Sequence, residues 1–133
     1  MLPKIYISGE WKNMEKINNL AKKFSEICEI THDWTTHEDY SLIKNNTYIK
    51  CQSLLCEDGI SKADYFIAIM DDPTDVYVQT WTEIGISIGA DVPVIIFDPN
   101  GTYVENIYTQ HNLVRVFKDL NEIVKYLTMW VKK

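Results

Sequence analysis

Two runs, Tyr65-Phe66-Ile67-Ala68-Ile69-Met70 and Val92-Pro93-Val94-Ile95-Ile96-Phe97, are almost wholly apolar over six residues each. Strands covered on both faces read this way, because a parallel sheet with helices on either side leaves no wet face for polar side chains. The segment between them, Thr80 to Ala90, is predicted to be the crossover helix that makes the pair parallel. Its Gly85 and Gly89 stand four apart on one face, a spacing expected to let the helix approach the sheet closely.

The flanking sequence extends this unit in both directions. Ile5-Tyr6-Ile7 is a short apolar run ended by Ser8-Gly9, and Met14, Ile17, Leu20, Ala21, Phe24 and Cys28 then recur at helical spacing, so a strand feeds a helix. Alternation from Glu29 to Trp34, with Ile30 and His32 on one side and Thr31 and Asp33 on the other, predicts a second strand near a sheet edge. The stretch from about Tyr40 to Leu55 lacks Gly and Pro and is expected to be helical, ending near Gly59. Beyond the turn formers Asp98-Pro99-Asn100-Gly101, Leu113 to Phe117 offers a fifth strand, and Leu120, Ile123, Val124, Leu127 and Val131 mark a closing amphipathic helix. The order β-α-β-α-β-α-β-β-α with right-handed crossovers is that of a doubly wound α/β sheet: five strands, mainly parallel, in flavodoxin-like order, with helices on both faces.

A chain of 133 residues has room for one such domain, taken as 1–133. Its net charge of −6 has the wrong sign for tracking a polyphosphate backbone, so a nucleic-acid polymer is not an expected partner. The three cysteines, Cys28, Cys51 and Cys56, have no paired spacing and are expected to be reduced thiols of a cytoplasmic protein. No window approaches the length of apolar sequence a membrane span requires, and Met1-Leu2-Pro3-Lys4 lacks the charged stretch and long apolar run of a signal peptide, so secretion is not expected.

Ligands of doubly wound sheets bind beyond the carboxyl ends of the strands. That rule selects Ser8-Gly9-Glu10-Trp11, Trp34-Thr35, Asp71-Asp72-Pro73 and Asp98-Pro99. Glu83, expected in about the first turn of the crossover helix, lies above this cleft, where the positive helix end favours an anionic carboxylate by a few tenths to about 1 kcal/mol. There it can attack an anomeric carbon or stabilise an oxocarbenium-like transition state; equally, it can simply charge a helix start. Tyr6 either fills core volume or reaches a neighbouring carboxylate with its hydroxyl. Trp11 and Trp34 either stack on a planar base or cover the core. Asp71 and Asp72 suit a Pro turn, with a sugar-hydroxyl contact as the alternative. Gly9 lacks the pattern of a phosphate loop. His32 and His37, with Asp33, Glu38 and Asp39, have no spacing that fixes convergent ligand geometry, so no metal and no organic cofactor is expected.

Taken together these residues resemble the nucleoside 2-deoxyribosyltransferase superfamily, including the related 2'-deoxynucleoside 5'-phosphate N-hydrolases. The resemblance runs through Lys4-Ile5-Tyr6-Ile7-Ser8-Gly9, similar to the family's first strand, and Gly59-Ile60-Ser61-Lys62-Ala63-Asp64, which looks like its G-I-x-x-A-D segment before the third strand. It is strongest in Thr82-Glu83-Ile84-Gly85-Ile86-Ser87-Ile88-Gly89-Ala90, where the family carries its nucleophilic Glu. The resemblance implies that Glu83 forms a glycosyl-enzyme and that Tyr6 positions or tunes its carboxylate. Ser8, Gly9, Trp11, Trp34, Asp71 and Thr80 become the expected substrate contacts. The family's proton donor is an Asp three residues before the Gly of G-I-x-x-A-D, and Cys56 stands there; Asp58 is two residues on, about 200° around a helix. Tyr77-Val78-Gln79-Thr80-Trp81 also replaces the family's short polar or Gly-containing stretch. Departure of a neutral base is helped typically 10²–10⁴-fold by protonation, whereas nicotinamide leaves from a group already cationic. The expected activity is therefore cleavage or transfer of the N-glycosidic bond of a nucleoside or nucleoside 5'-monophosphate. NAD cleavage, or nucleotide binding without turnover, is the alternative. Resemblance also implies a homodimer or higher homo-oligomer.

Overall fold

A computed structural model of the chain describes residues 1–37 and 45–130. Five strands, β1 (Lys4–Ser8), β2 (Glu29–Ile30), β3 (Tyr65–Ile69), β4 (Val94–Phe97) and β5 (Val114–Phe117), form one sheet in the order β2-β1-β3-β4-β5. Every pairing is parallel. The helices are α1 (Met14–Phe24), α2 (Asn46–Ser61), α3 (Val78–Gly89) and α4 (Leu120–Thr128). The expected doubly wound, flavodoxin-like architecture is present, and the two apolar runs are its central strands, with Phe66, Ile67, Ala68, Ile95 and Ile96 buried.

Period-two alternation divides the layers. Tyr6 stacks on Phe66 at 5.7 Å and shares its face with Ser8, both turned toward α2 and α3. Tyr65, one residue out of phase with Phe66, meets Tyr126 of α4 edge-on at 5.7 Å on the opposite face. No helix among the described residues is long and apolar enough to cross a membrane.

Four local expectations are corrected. First, β2 ends at Ile30 rather than near Trp34: Asp33 Oδ1 accepts the Thr35 amide at 3.0 Å, closing a short 3₁₀ turn over Trp34–Thr36. A side chain that satisfies the backbone locally removes the reason to extend the ladder, so His32 lies in a loop. Second, α2 runs through Gly59 to Ser61 and starts at Asn46, where the Asn45 side chain accepts the Thr47 and Tyr48 amides. Tyr40, Leu42 and Ile43, expected in this helix, lie outside the described residues, as does Val131. Third, α3 begins at Val78, two residues early. Its capping residue, Tyr77, is left-handed at φ 51°, a conformation held by burial, by its hydroxyl accepting the Asp72 amide at 2.9 Å and by its own amide donating to Asp75 Oδ1 at 3.0 Å. Glu83 is thereby in the second turn, not the first.

The fourth correction concerns the glycines. Gly85 and Gly89 are exposed, and a methyl group added at either would meet nothing within 4 Å. Close approach occurs instead at Gly59, where a Cβ would stand 2.7 Å from His32 Cβ and 3.2 Å from Tyr6 Cδ2, and at Gly9, where it would stand 2.6 Å from Ile17 Cδ1. Thr31 Oγ1 donates to the Gly59 carbonyl at 2.6 Å, tying α2 to the chain just beyond β2. These contacts bring α2, and Cys56 with it, against β1.

Candidate functional site

Above Tyr6 lies a cavity of about 320 Å³ between the carboxyl end of β1, α2 and α3, at the small end of the roughly 300–1,000 Å³ typical of ligand sites. Glu83, on α3, is in its wall. Tyr6 Oη donates to Glu83 Oε2 at 2.8 Å and Ser8 Oγ donates to Glu83 Oε1 at 2.7 Å. The alternation of β1 accounts for this pairing: residues two apart on a strand face the same way, so both hydroxyls reach one carboxylate. Glu83 makes no ion pair among the described residues.

Burial pushes the Glu83 carboxyl above the usual carboxylate range; the Ser8 and Tyr6 hydrogen bonds act the other way, and nearby Glu10 reinforces the rise. The expectation that a helix start would favour the anion is therefore reversed, since removal from water outweighs the helix end one turn away. Burial, followed by the adjacent Glu83 and Cys56, drives the Tyr6 phenol far above its ordinary range, so it remains a donor at neutral pH. Burial likewise raises the Cys56 thiol, opposed by hydrogen bonding with Tyr6.

Trp11 and Trp34 flank the cavity with ring centroids 5.8 Å apart, tilted by 42°. Trp34 is anchored, its Nε1 donating to the Ile7 carbonyl at 2.7 Å. Gly9 contributes bare backbone to the wall, and Cys56 faces the cavity from α2. The remaining expected residues are elsewhere. Asp58 is exposed and pairs with Lys62 at 2.9 Å. Asp71 forms an ion pair with Lys16. Thr80 is fully buried and donates to Glu10 Oε1 at 3.3 Å. Ser8 is buried beneath Glu83 and reaches the cavity only through it.

Several wall residues were not anticipated: Ile49, Ser53, Glu57, Ile60, Gln79, Thr82 and Ile86. Their signal was in the spacing. Ile49, Ser53, Cys56 and Ile60 fall at i, i+4, i+7 and i+11 of α2, and Gln79, Thr82, Glu83 and Ile86 at i, i+3, i+4 and i+7 of α3, each a single helical face. The helical faces that contain Cys56 and Glu83 are therefore the signal that could have found them.

His32 and His37 approach with Nε2 atoms 2.6 Å apart and rings tilted by 44°. Burial lowers the pKa of both imidazoles, that of His37 further through its neighbour. Glu38 and Asp39 lie outside the described residues.

The sequence matches no family model and no curated protein. Among solved structures, the chain is similar to a 2-deoxyribosyltransferase from the psychrotolerant bacterium Bacillus psychrosaccharolyticus, with a TM-score of 0.68 at 18% identity over 96% of this chain and 92% of that one. It is also similar to the Clostridium botulinum CMP N-glycosidase BcmB, with a TM-score of 0.61 at 19% identity over 96% and 99% of the two chains. The fold is thus shared with a deoxyribosyltransferase and an N-glycosidase across nearly their whole lengths.

Proposed function

We propose that this protein belongs to the nucleoside 2-deoxyribosyltransferase-like proteins and cleaves or transfers the N-glycosidic bond of a nucleoside or nucleoside 5'-monophosphate, with Glu83 as nucleophile. One observation carries the reading: both oxygens of a half-buried carboxylate are held by β1 hydroxyls in the wall of an apolar, tryptophan-flanked cavity. The likeness to two enzymes of N-glycosidic bonds supports it.

In this mechanism a Glu83 oxygen bonds to C1' while the C1'–N bond breaks and its electron pair leaves with the base. Water, or a second base, then attacks C1' and releases Glu83. Tyr6 and Ser8 orient the carboxylate and lower its tendency to protonate, which keeps the nucleophile competent despite burial. The base stacks against the Trp11–Trp34 pair at the cavity wall. Proton delivery to the base is the weak part, because Asp58 turns to Lys62 and, among the described residues, α2 offers the wall a weakly acidic thiol, Cys56, and the solvent-exposed carboxylate of Glu57. That arrangement favours leaving groups needing little protonation, and nicotinamide of a dinucleotide is the second substrate to test.

The test is incubation with deoxynucleosides, their 5'-monophosphates and NAD, following free base by chromatography. Release from at least one substrate is expected; thermal stabilisation by a substrate with no release from any would leave a binding module. Tyr6→Phe removes one hydrogen bond to a charged group, worth about 1.5–3 kcal/mol, so the rate should fall about 10- to 100-fold. Its pH–rate profile should also shift upward, because Glu83 loses a group that lowers its pKa. A profile unmoved by Tyr6→Phe would make Tyr6 mere packing.

A further inference from the structure

His32, His37 and Cys56 offer ligand atoms that all lie within 4.8 Å of one another. We propose that these three side chains form a zinc-binding site, with one coordination position left for water or a substrate atom. Two imidazoles and one thiolate are a borderline-soft donor set suited to Zn²⁺ and poorly suited to Mg²⁺ or Ca²⁺. Three protein ligands with one open position is the arrangement of catalytic rather than structural zinc.

The geometry is built by the turn after β2 and by the docking of α2. The Asp33-capped turn over Trp34–Thr36 reverses the chain so that residues five apart face each other through Nε2. Gly59 lets α2 sit against the His32 Cβ, and the Thr31–Gly59 hydrogen bond locks it there. Cys56, three residues earlier, is one helical turn back and so reaches the histidine pair. Tetrahedral zinc with Zn–N near 2.0–2.1 Å separates two ligand nitrogens by about 3.4 Å. The imidazoles therefore need to open from 2.6 Å by somewhat under ~1 Å, a movement within the reach of small side-chain rotations.

Because Cys56 also lines the cavity, an ion on its sulfur sits at the wall of the proposed N-glycosidase site. A metal-bound water there has its pKa lowered to about 7 and can give its proton to a departing base nitrogen, leaving metal-bound hydroxide. This is the service that Cys in place of Asp withdraws. The catalytic role rests on the reading of Glu83 as nucleophile; metal binding does not.

The probe is Co²⁺, titrated into the metal-free protein under reducing conditions, followed by Zn²⁺. The expected result is one equivalent of cobalt giving a thiolate-to-cobalt charge-transfer band with the intense visible bands of a tetrahedral site, all abolished by zinc. Cys56→Ser should remove the charge-transfer band and weaken zinc binding at least about tenfold, as should His37→Ala without loss of the native circular dichroism. Cys51→Ser, altering an exposed cysteine, should change neither. Zinc should raise the unfolding temperature of the unaltered protein, a readout independent of any variant's folding. No charge-transfer band, or a band that survives Cys56→Ser, overturns the site. Glu83→Gln should retain the cobalt spectrum, so failure of the nucleophile assignment and failure of the metal site are separately visible. If base release is unaffected by zinc removal, the role in catalysis is overturned while the binding result stands.

Discussion

Glu83→Gln should abolish base release, by about 10³-fold or more, while the protein stays folded, because an amide cannot form the glycosyl-enzyme but can occupy the same volume. Tyr6 and Ser8 can still donate to the amide oxygen, one of the two at a time, so the pocket keeps its shape. The measurement is base release beside the unfolding temperature of both forms. Loss of activity accompanied by a large fall in unfolding temperature would attribute the effect to folding, and retained activity would remove Glu83 from the chemistry.

The direction of the Glu83 shift makes a second, opposite-signed expectation. Its folded pKa lies above its unfolded one, chiefly through burial. Stability contributed by the neutral form is fully present below the ordinary carboxylate pKa and is lost as pH rises through the raised value. Activity, which needs the anion, should increase over that same interval. The unaltered protein should therefore lose stability where it gains rate, and Glu83→Gln should flatten the stability profile there. Parallel stability profiles for the two proteins would show that the carboxylate is not desolvated.

Gly59→Ala and Gly85→Ala should have opposite effects on stability although both replace a helical glycine. At Gly85 the added methyl meets nothing within 4 Å, so the gain is the helix-propensity difference of about 1 kcal/mol. At Gly59 the methyl would overlap the His32 Cβ at 2.7 Å; a Cβ is fixed to the backbone and cannot rotate away. Overpacking of this kind costs typically 1–3 kcal/mol, which offsets the propensity gain of about 1 kcal/mol and leaves a net loss of up to about 2 kcal/mol. Since α2 carries Cys56 and α3 carries Glu83, the displacement in Gly59→Ala should also reduce base release. Urea unfolding of the two variants beside the parent checks both signs. A stabilised Gly59→Ala would mean that α2 does not press on β1 as described.

The contrast between these glycines shows where reading a sequence stops. Spacing marked Gly85 and Gly89 as a contact face because glycines four apart on a helix often are one, yet α3 turns that edge to solvent. Gly59 looked like a helix end, since nothing local distinguishes a terminating glycine from one that a neighbour crowds. The same limit applies to the histidines: His32 and His37 bear no ligand spacing, and their third partner is on another helix. Asp58 and Cys56, two residues apart, are equally plausible acids along the chain, and only their directions on α2 separate them, one to Lys62 and one to the cavity.

What the sequence determined by itself was the layered sheet and its order, together with the candidate nucleophile. Continuous apolar runs and helical periodicities are local consequences of burial, readable without knowing what does the burying. The convergence of Tyr6 and Ser8 on one carboxylate, the exclusion of Asp58 and Asp71 from the cavity and the meeting of two histidines with Cys56 were decided only by the tertiary structure. Each depends on where one element comes to rest against another, which is set by steric contacts such as that of Gly59 with His32 and leaves no periodic trace along the chain.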